Sequence, residues 1–180
     1  MSKSKSRKNH SSLVICLGEA LVDRLGPLGG DPLLDSPVED CLGGAPANVA
    51  CCLARLGIPV TFIGRIGDDD FGSRLKELLH MRQVDISGLQ IDLLRATRTV
   101  LVRREQNGER AFQGFLGDSG DGFADEALDL SELMTAWPFF SGNARWLLIG
   151  SIPLANAVSA KSLLWAVQKA RAEGISVALD

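Results

Sequence analysis

The sequence predicts an α/β fold: a mostly parallel sheet with helices on both faces, interrupted by a small β segment. Three observations carry this. Short apolar runs at 13–17, 60–63, 145–150 and 175–179 read as strands, and those apolar throughout suit central positions covered on both sides. Between them lie stretches whose apolar residues return with helical spacing, closed by Gly57 and Gly174, and strand–helix–strand alternation is the pattern of a layered parallel sheet. Asn107-Gly108 between two β-prone runs signals a hairpin that breaks this alternation.

Taken in order, Leu13 to Leu17 is the first strand, ending at Gly18. Ligands of open α/β sheets sit outside the carboxyl ends of the strands, so the carboxylate of Asp23, shortly after this strand, is placed to accept hydrogen bonds from hydroxyl groups. Residues 24–42 carry glycines, prolines and acids without helical period and read as loop and short edge strands. Gly43-Gly44-Ala45-Pro46-Ala47-Asn48 reads as a tight turn feeding a helix, because proline suits the first helical position. Val49, Cys52, Leu53 and Leu56 then recur at offsets 0, 3, 4 and 7, which predicts the buried face of that helix. A glycine loop lets a ligand approach the backbone, and the free N–H groups of a helix start favour electron-rich oxygens. Asn48, one turn in, carries an amide that both donates to and accepts from a hydroxyl, so Gly43, Gly44 and Asn48 suit a polyhydroxylated ligand.

Pro59 opens the strand 60–63. Asp68-Asp69-Asp70 precede an amphipathic helix with Phe71, Leu75, Leu78 and Leu79, and helix capping explains the three acids more cheaply than a metal site. Thr97–Arg104 and Glu109–Phe115 form the hairpin, with a type I′ turn and positive φ expected at both Asn107 and Gly108. Phe112 and Phe115 have opposite parity, so without a bulge they point to opposite faces, and at most one is expected to face a ligand while the other packs. The Gly117–Gly122 run lacks the lysine of a phosphate-binding P-loop and is not read as one. Arg145–Gly150 is a buried strand with Ser151 at its carboxyl end. Asn156 caps a helix whose spaced apolar residues are Ala160, Leu163, Leu164, Val167 and Ala170, and 175–179 is a last strand.

Composition excludes several classes. Nineteen basic against 22 acidic residues leave a net charge of −3, so no global field draws the chain to nucleic acid or an anionic membrane, and no run approaches a membrane span. Cys16, Cys41, Cys51 and Cys52 show no metal-ligand spacing and read as buried free thiols of a reducing compartment, which points to the cytoplasm. Residues 1–12, basic and polar, read as a short disordered tail.

The run from Gly43 through Asn48 and Ala50 to Gly57 and Gly67 closely resembles the N-terminal signature of the ribokinase family of sugar kinases, also called the phosphofructokinase B family. Its Gly-Gly-Ala-Pro-Ala-Asn version looks most like the family's fructokinases, and Gly18–Asp23 resembles the opening strand whose terminal aspartate contacts the sugar. The resemblance implies a ribokinase-like domain over 13–180, with lid segments at about 24–42 and 97–116 folding over the sugar. It implies ATP as co-substrate, Mg2+, a small-molecule sugar, and a homodimer through the lid. The implied sugar-binding residues are Asp23, Gly43, Gly44, Asn48, Phe112 and Ser151. The family's catalytic base and anion hole are expected beyond Asp180, so the sheet is expected to be incomplete, and neither a catalytic nor a metal-binding residue is expected within the chain. Another family activity, on ribose, a sugar acid or a nucleoside, and a non-catalytic sugar-binding or dimerisation module stay open as alternatives.

Overall fold

The computed structural model describes residues 13–180; the tail expected over 1–12 lies outside the described residues. Five strands form a wholly parallel sheet: β1 (Val14–Leu17), β4 (Val60–Gly67), β5 (Asp85–Asp92), β8 (Trp146–Ile149) and β9 (Ser176–Leu179), in the order β5-β4-β1-β8-β9. Side chains alternate across a strand, so β1 feeds two cores. Ile15 and Leu17 pack with Leu133, Trp137 and Phe140 of α3 (Leu130–Ser141) and with Leu163 and Ala166 of α4 (Ala157–Ala172). Cys16 packs on the other side with Ala47 and Ala50 of α1 (Ala45–Arg55) and with Leu75 and Leu79 of α2 (Asp70–Met81). This is the predicted parallel sheet with helices on both faces.

A second, four-stranded sheet has the order β3-β2-β6-β7, with β2 (Leu21–Leu28), β3 (Glu39–Gly43), β6 (Thr99–Arg104) and β7 (Arg110–Leu116). It is seated on the parallel body by Val22, which joins the α1/α2 core, and by Arg24, which pairs with Asp40 at 2.7 Å and lies 5.7 Å over the Phe71 ring. Here the expectation for 24–42 needs correction: β2 is an interior strand, and the edges are β3 and β7.

Two elements escaped the sequence reading. In β5 the buried positions include Gln90 and Asp92, so no apolar alternation marks the strand. Both are satisfied: the Gln90 amide accepts from Asp129 N at 2.7 Å and donates to its O at 2.9 Å, while Asp92 accepts from the N–H groups of Leu94 and Arg95 and from Arg65 Nε at 3.0 Å. The second, α3, is capped by Asp129, whose side chain accepts from Glu132 N, but it contains Pro138, a residue that normally argues against a helix.

The predicted helix faces also shift. In α1 the buried residues are Pro46, Ala47 and Ala50, whereas Leu56 is 76 % exposed and Cys52 is exposed, so the expectation of four buried thiols fails; only Cys16 is buried outright, and burial pushes its pKa up to about 12. A helix lying close on a sheet needs small residues at the contact, and size rather than hydrophobicity selects the face. In α4 Leu164 faces out and Ser159 and Ser162 face in, because each serine hydroxyl bonds a backbone carbonyl, of Asp125 at 2.7 Å and of Leu128 at 2.6 Å.

The hairpin turn is not type I′. Gly108 has φ 86°, but Asn107 is not in the positive-φ region. Gly108 N donates to Glu105 O and Glu105 N to Glu109 O, closing a three-residue loop with glycine in the left-handed position, and the Asn107 side chain accepts from Glu109 N. Further along β7 a bulge at Gln113 leaves Leu101 opposite Gly114 and Val102 opposite Phe112. It cancels the parity difference, so Phe112 and Phe115 share one face with rings 5.1 Å apart.

Replacing Gly108 by Val is expected to cost about 1–3 kcal/mol, all of it backbone strain, because open space surrounds the new Cβ. Asn107→Ala is expected to cost only the hydrogen bond, about 0.5–1.5 kcal/mol. Denaturant unfolding of both variants checks this; Asn107→Val as costly as Gly108→Val would instead indicate positive φ at both positions.

Candidate functional site

The site forms where α1 begins against the chain passing from the parallel body into the second sheet. Asp23 is not at the end of β1, as the sequence reading had it. It is the third residue of β2, opposite Cys41 of β3 and Val100 of β6. β3 then delivers Gly43 to the start of α1, where a Cβ on Gly43 would lie 3.5 Å from Asn48 Nδ2 and 4.0 Å from Asp23 Oδ2. The structure therefore brings Asp23, Gly43 and Asn48 together around one backbone position, with Asn48 exposed. Burial pushes the Asp23 carboxyl above the usual aspartate range, against the opposing pull of the Arg110 charge.

Gly44 holds a different role from Gly43. Its φ is 101°, and a Cβ there would lie 2.6 Å from the Glu19 carbonyl oxygen and 3.0 Å from Ala20 Cα. Only glycine lets the helix start come down on that backbone. Pro46 presses equally closely on Gly18 and Gly150, which ties the carboxyl ends of β1 and β8 to the same point. Ser151 follows Gly150 and opens the short turn Ile152–Ala155, with its side chain exposed at this end of the sheet.

Residues directly opposite in a ladder point to the same side. Asp23, Cys41, Val100, Val102, Phe115, Phe112 and Arg110 thus share one face of the second sheet. Phe112 is 63 % exposed there. The Gly117–Gly122 loop has no free amides to offer at Gly120 and Gly122, since both N–H groups donate to Asp118. Among the described residues no group of three acids, histidines or cysteines is placed to hold a metal ion.

Glu19 is the site residue that sequence reasoning missed. It is 2 % exposed, and its carboxylate accepts from its own N–H and from Ala45 N–H, capping α1 from outside the helix; one oxygen, Oε2, lies against Gly150 with no hydrogen-bond partner among the described residues. Burial pushes its pKa above the usual range despite those two N–H groups. The available signal was an acid directly after Gly18, in the ligand-binding position of the fold.

A raised folded-state pKa contributes stability that is complete below the unfolded value, about 4.3, and is lost as pH rises through the folded value. Glu19→Gln cannot ionise and retains an acceptor for Ala45 N–H. Its unfolding midpoint is expected to gain on the parent's as pH rises from about 4 to about 8. Parallel profiles would contradict a buried, hard-to-ionise Glu19.

Comparison with known proteins places these features. Residues 11–174 match the profile described as pfkB family carbohydrate kinase. Fructokinase of Escherichia coli is 39% identical over 170 residues, covering 94% of this chain and 50% of the relative. A crystal structure of Vibrio cholerae O395 fructokinase with fructose, ADP and calcium ion bound is 33% identical with TM-score 0.75, covering 96% of this chain and 51% of that one. A Pyrococcus horikoshii sugar kinase in complex with ATP is 28% identical with TM-score 0.79, covering 93% and 52%. The chain spans about half the length of the curated relatives it matches.

Proposed function

Because the chain belongs to the pfkB family of carbohydrate kinases, we propose that it carries the sugar-binding side of an ATP-dependent fructokinase. The observation that carries this is the convergence of Asp23 and Asn48 on Gly43 at the start of α1. A carboxylate that accepts and an amide that both donates and accepts, beside a backbone with no side chain, match adjacent hydroxyl groups of a sugar. Gly44 sets the approach and Ser151 stands at the same end of the sheet. The four-stranded sheet is the lid, and Phe112 shields the sugar. The relatives named fructokinase, and the Vibrio structure with fructose and ADP, support the choice of sugar and of ATP as phosphoryl donor.

When bound, Mg2+ would neutralise the ATP phosphates. The donor set of the described residues does not fit such an ion. We assign ATP, its cation, the base and the anion hole to the half of the relatives that this chain does not span. A homodimer through the exposed edge of the lid, and residence in the cytoplasm, belong to the same proposal. Among the described residues no helix is long and apolar enough to cross a membrane.

A sugar acid is the alternative with an observation of its own: Arg110 acts electrostatically on Asp23 and Cys41 from the same face. Calorimetric titration of the chain separates the readings. Fructose is expected to bind more tightly than gluconate, and Asp23→Asn and Asn48→Ala to weaken it by about 1–3 kcal/mol each with little change in the unfolding midpoint. Preference for gluconate, lost in Arg110→Ala, would favour the sugar acid. Sugar affinity unchanged in variants with collapsed stability would show that Asp23 and Asn48 serve only the fold.

With ATP, Mg2+ and fructose, the chain alone is expected to form no sugar phosphate. Product above background would overturn the assignment of phosphoryl chemistry to residues outside it.

A further inference from the structure

Arg98 is a cation buried to 5 % exposure at the point where the chain leaves the body for the lid. Just before it, Thr97 is fixed to the body: its N–H and hydroxyl both donate to the Asp69 carboxylate, which also caps α2. The Arg98 guanidinium donates to both oxygens of Asp125, at 2.8 and 3.0 Å, and to Glu126 Oε1 at 2.7 Å. Burial pulls its pKa down, but these bonds hold it above the ordinary arginine value, so the group stays charged. The acids stand on the turn Ala124–Ala127, which is itself held from below by Ser159 of α4 through Asp125 O.

The same guanidinium lies over two aromatic rings that meet each other edge-on at 5.5 Å, Phe123 of the body at 4.6 Å and Phe115 of β7 at 4.9 Å. Phe115 in turn meets Phe112 edge-on at 5.1 Å. The backbone carbonyl of Arg98 accepts from Val22 N, next to Asp23. One residue therefore touches both halves of the candidate site: Asp23 through the β2 backbone and Phe112 through the ring stack.

We propose that Arg98 is a positioning residue, a latch that sets the angle of the lid on the body and so places Phe112 against a sugar held by Asp23 and Asn48. The assignment rests on the proposed function only for the ligand; the latch itself is a property of the fold. Lysine keeps the charge but loses the planar fork that allows two bonds and ring stacking at once.

The 180-residue chain is compared with Arg98→Lys and with Phe115→Leu, which keeps the ion pair and removes the ring that carries its position to Phe112. Hydrogen exchange without sugar is expected to speed up by about tenfold or more in β6 and β7 and to stay unchanged in β1 and β8. Uniform acceleration over both sheets in both variants, or none in β6 and β7, overturns the latch whether or not any sugar binds. Fructose titration supplies the second arm. Arg98→Lys and Phe112→Ala are each expected to weaken binding about tenfold, and the double variant no more than either alone. Full additivity shows that Arg98 does not act through Phe112 and overturns the proposal. If the parent binds no fructose, the functional reading fails and the exchange arm alone decides the latch.

Discussion

The site depends on how closely the start of α1 lies on the short link between β1 and β2. Gly44 lets the helix down onto the Glu19–Ala20 backbone, and Pro46 is wedged against Gly18 and Gly150. A single methyl group at Gly18, Gly44 or Gly150 would meet atoms at distances that side chains do not tolerate. This contact decides where Asn48 stands, because the helix carries it rigidly one turn further on. Glu19 completes the joint by capping the helix from beneath, and its Oε2, without a hydrogen-bond partner among the described residues, is a cost the fold bears at the joint.

From that joint the chain enters a second sheet whose strands are drawn from two distant segments. β2 and β3 come from residues 21–43 and β6 and β7 from residues 99–116, joined by the parallel pairing of β2 with β6. A free two-stranded ribbon is only marginally stable, so the hairpin owes its order to β2 and to its seat on the body. The two seats differ in kind. Arg24 and Val22 fix the near side beside α2, and Arg98 with its acids and rings fixes the far side beside α4.

Much of this was legible in the residues, for reasons that are steric. Glycine and proline punctuate the chain at 43–46 and 57–59 because few other residues accept those geometries, and short apolar runs betray strands covered on both faces. What was hidden was hidden by long-range compensation. β5 buries Gln90 and Asp92 because partners far along the chain satisfy them, and α4 buries serines for the same reason. The bulge that unites Phe112 and Phe115 is set by register with β6, which no local pattern reveals. Asp23 was recognised as a candidate but placed on the wrong element, since nothing in Gly18–Leu21 announces that a new strand in a different sheet starts after three residues.

The central claim is that Asp23, Gly43 and Asn48 form one hydroxyl-binding surface. Titration of isotope-labelled chain with fructose, followed by nuclear magnetic resonance, tests it most directly. The account predicts saturable shifts of the Asn48 side-chain amide and the Gly43 N–H, with sugar-to-protein Overhauser contacts to both. Shifts centred instead on the groove between α2 and β5, lined by Lys76, His80, Asp85 and Ser87, with Asn48 and Gly43 unmoved, would contradict it.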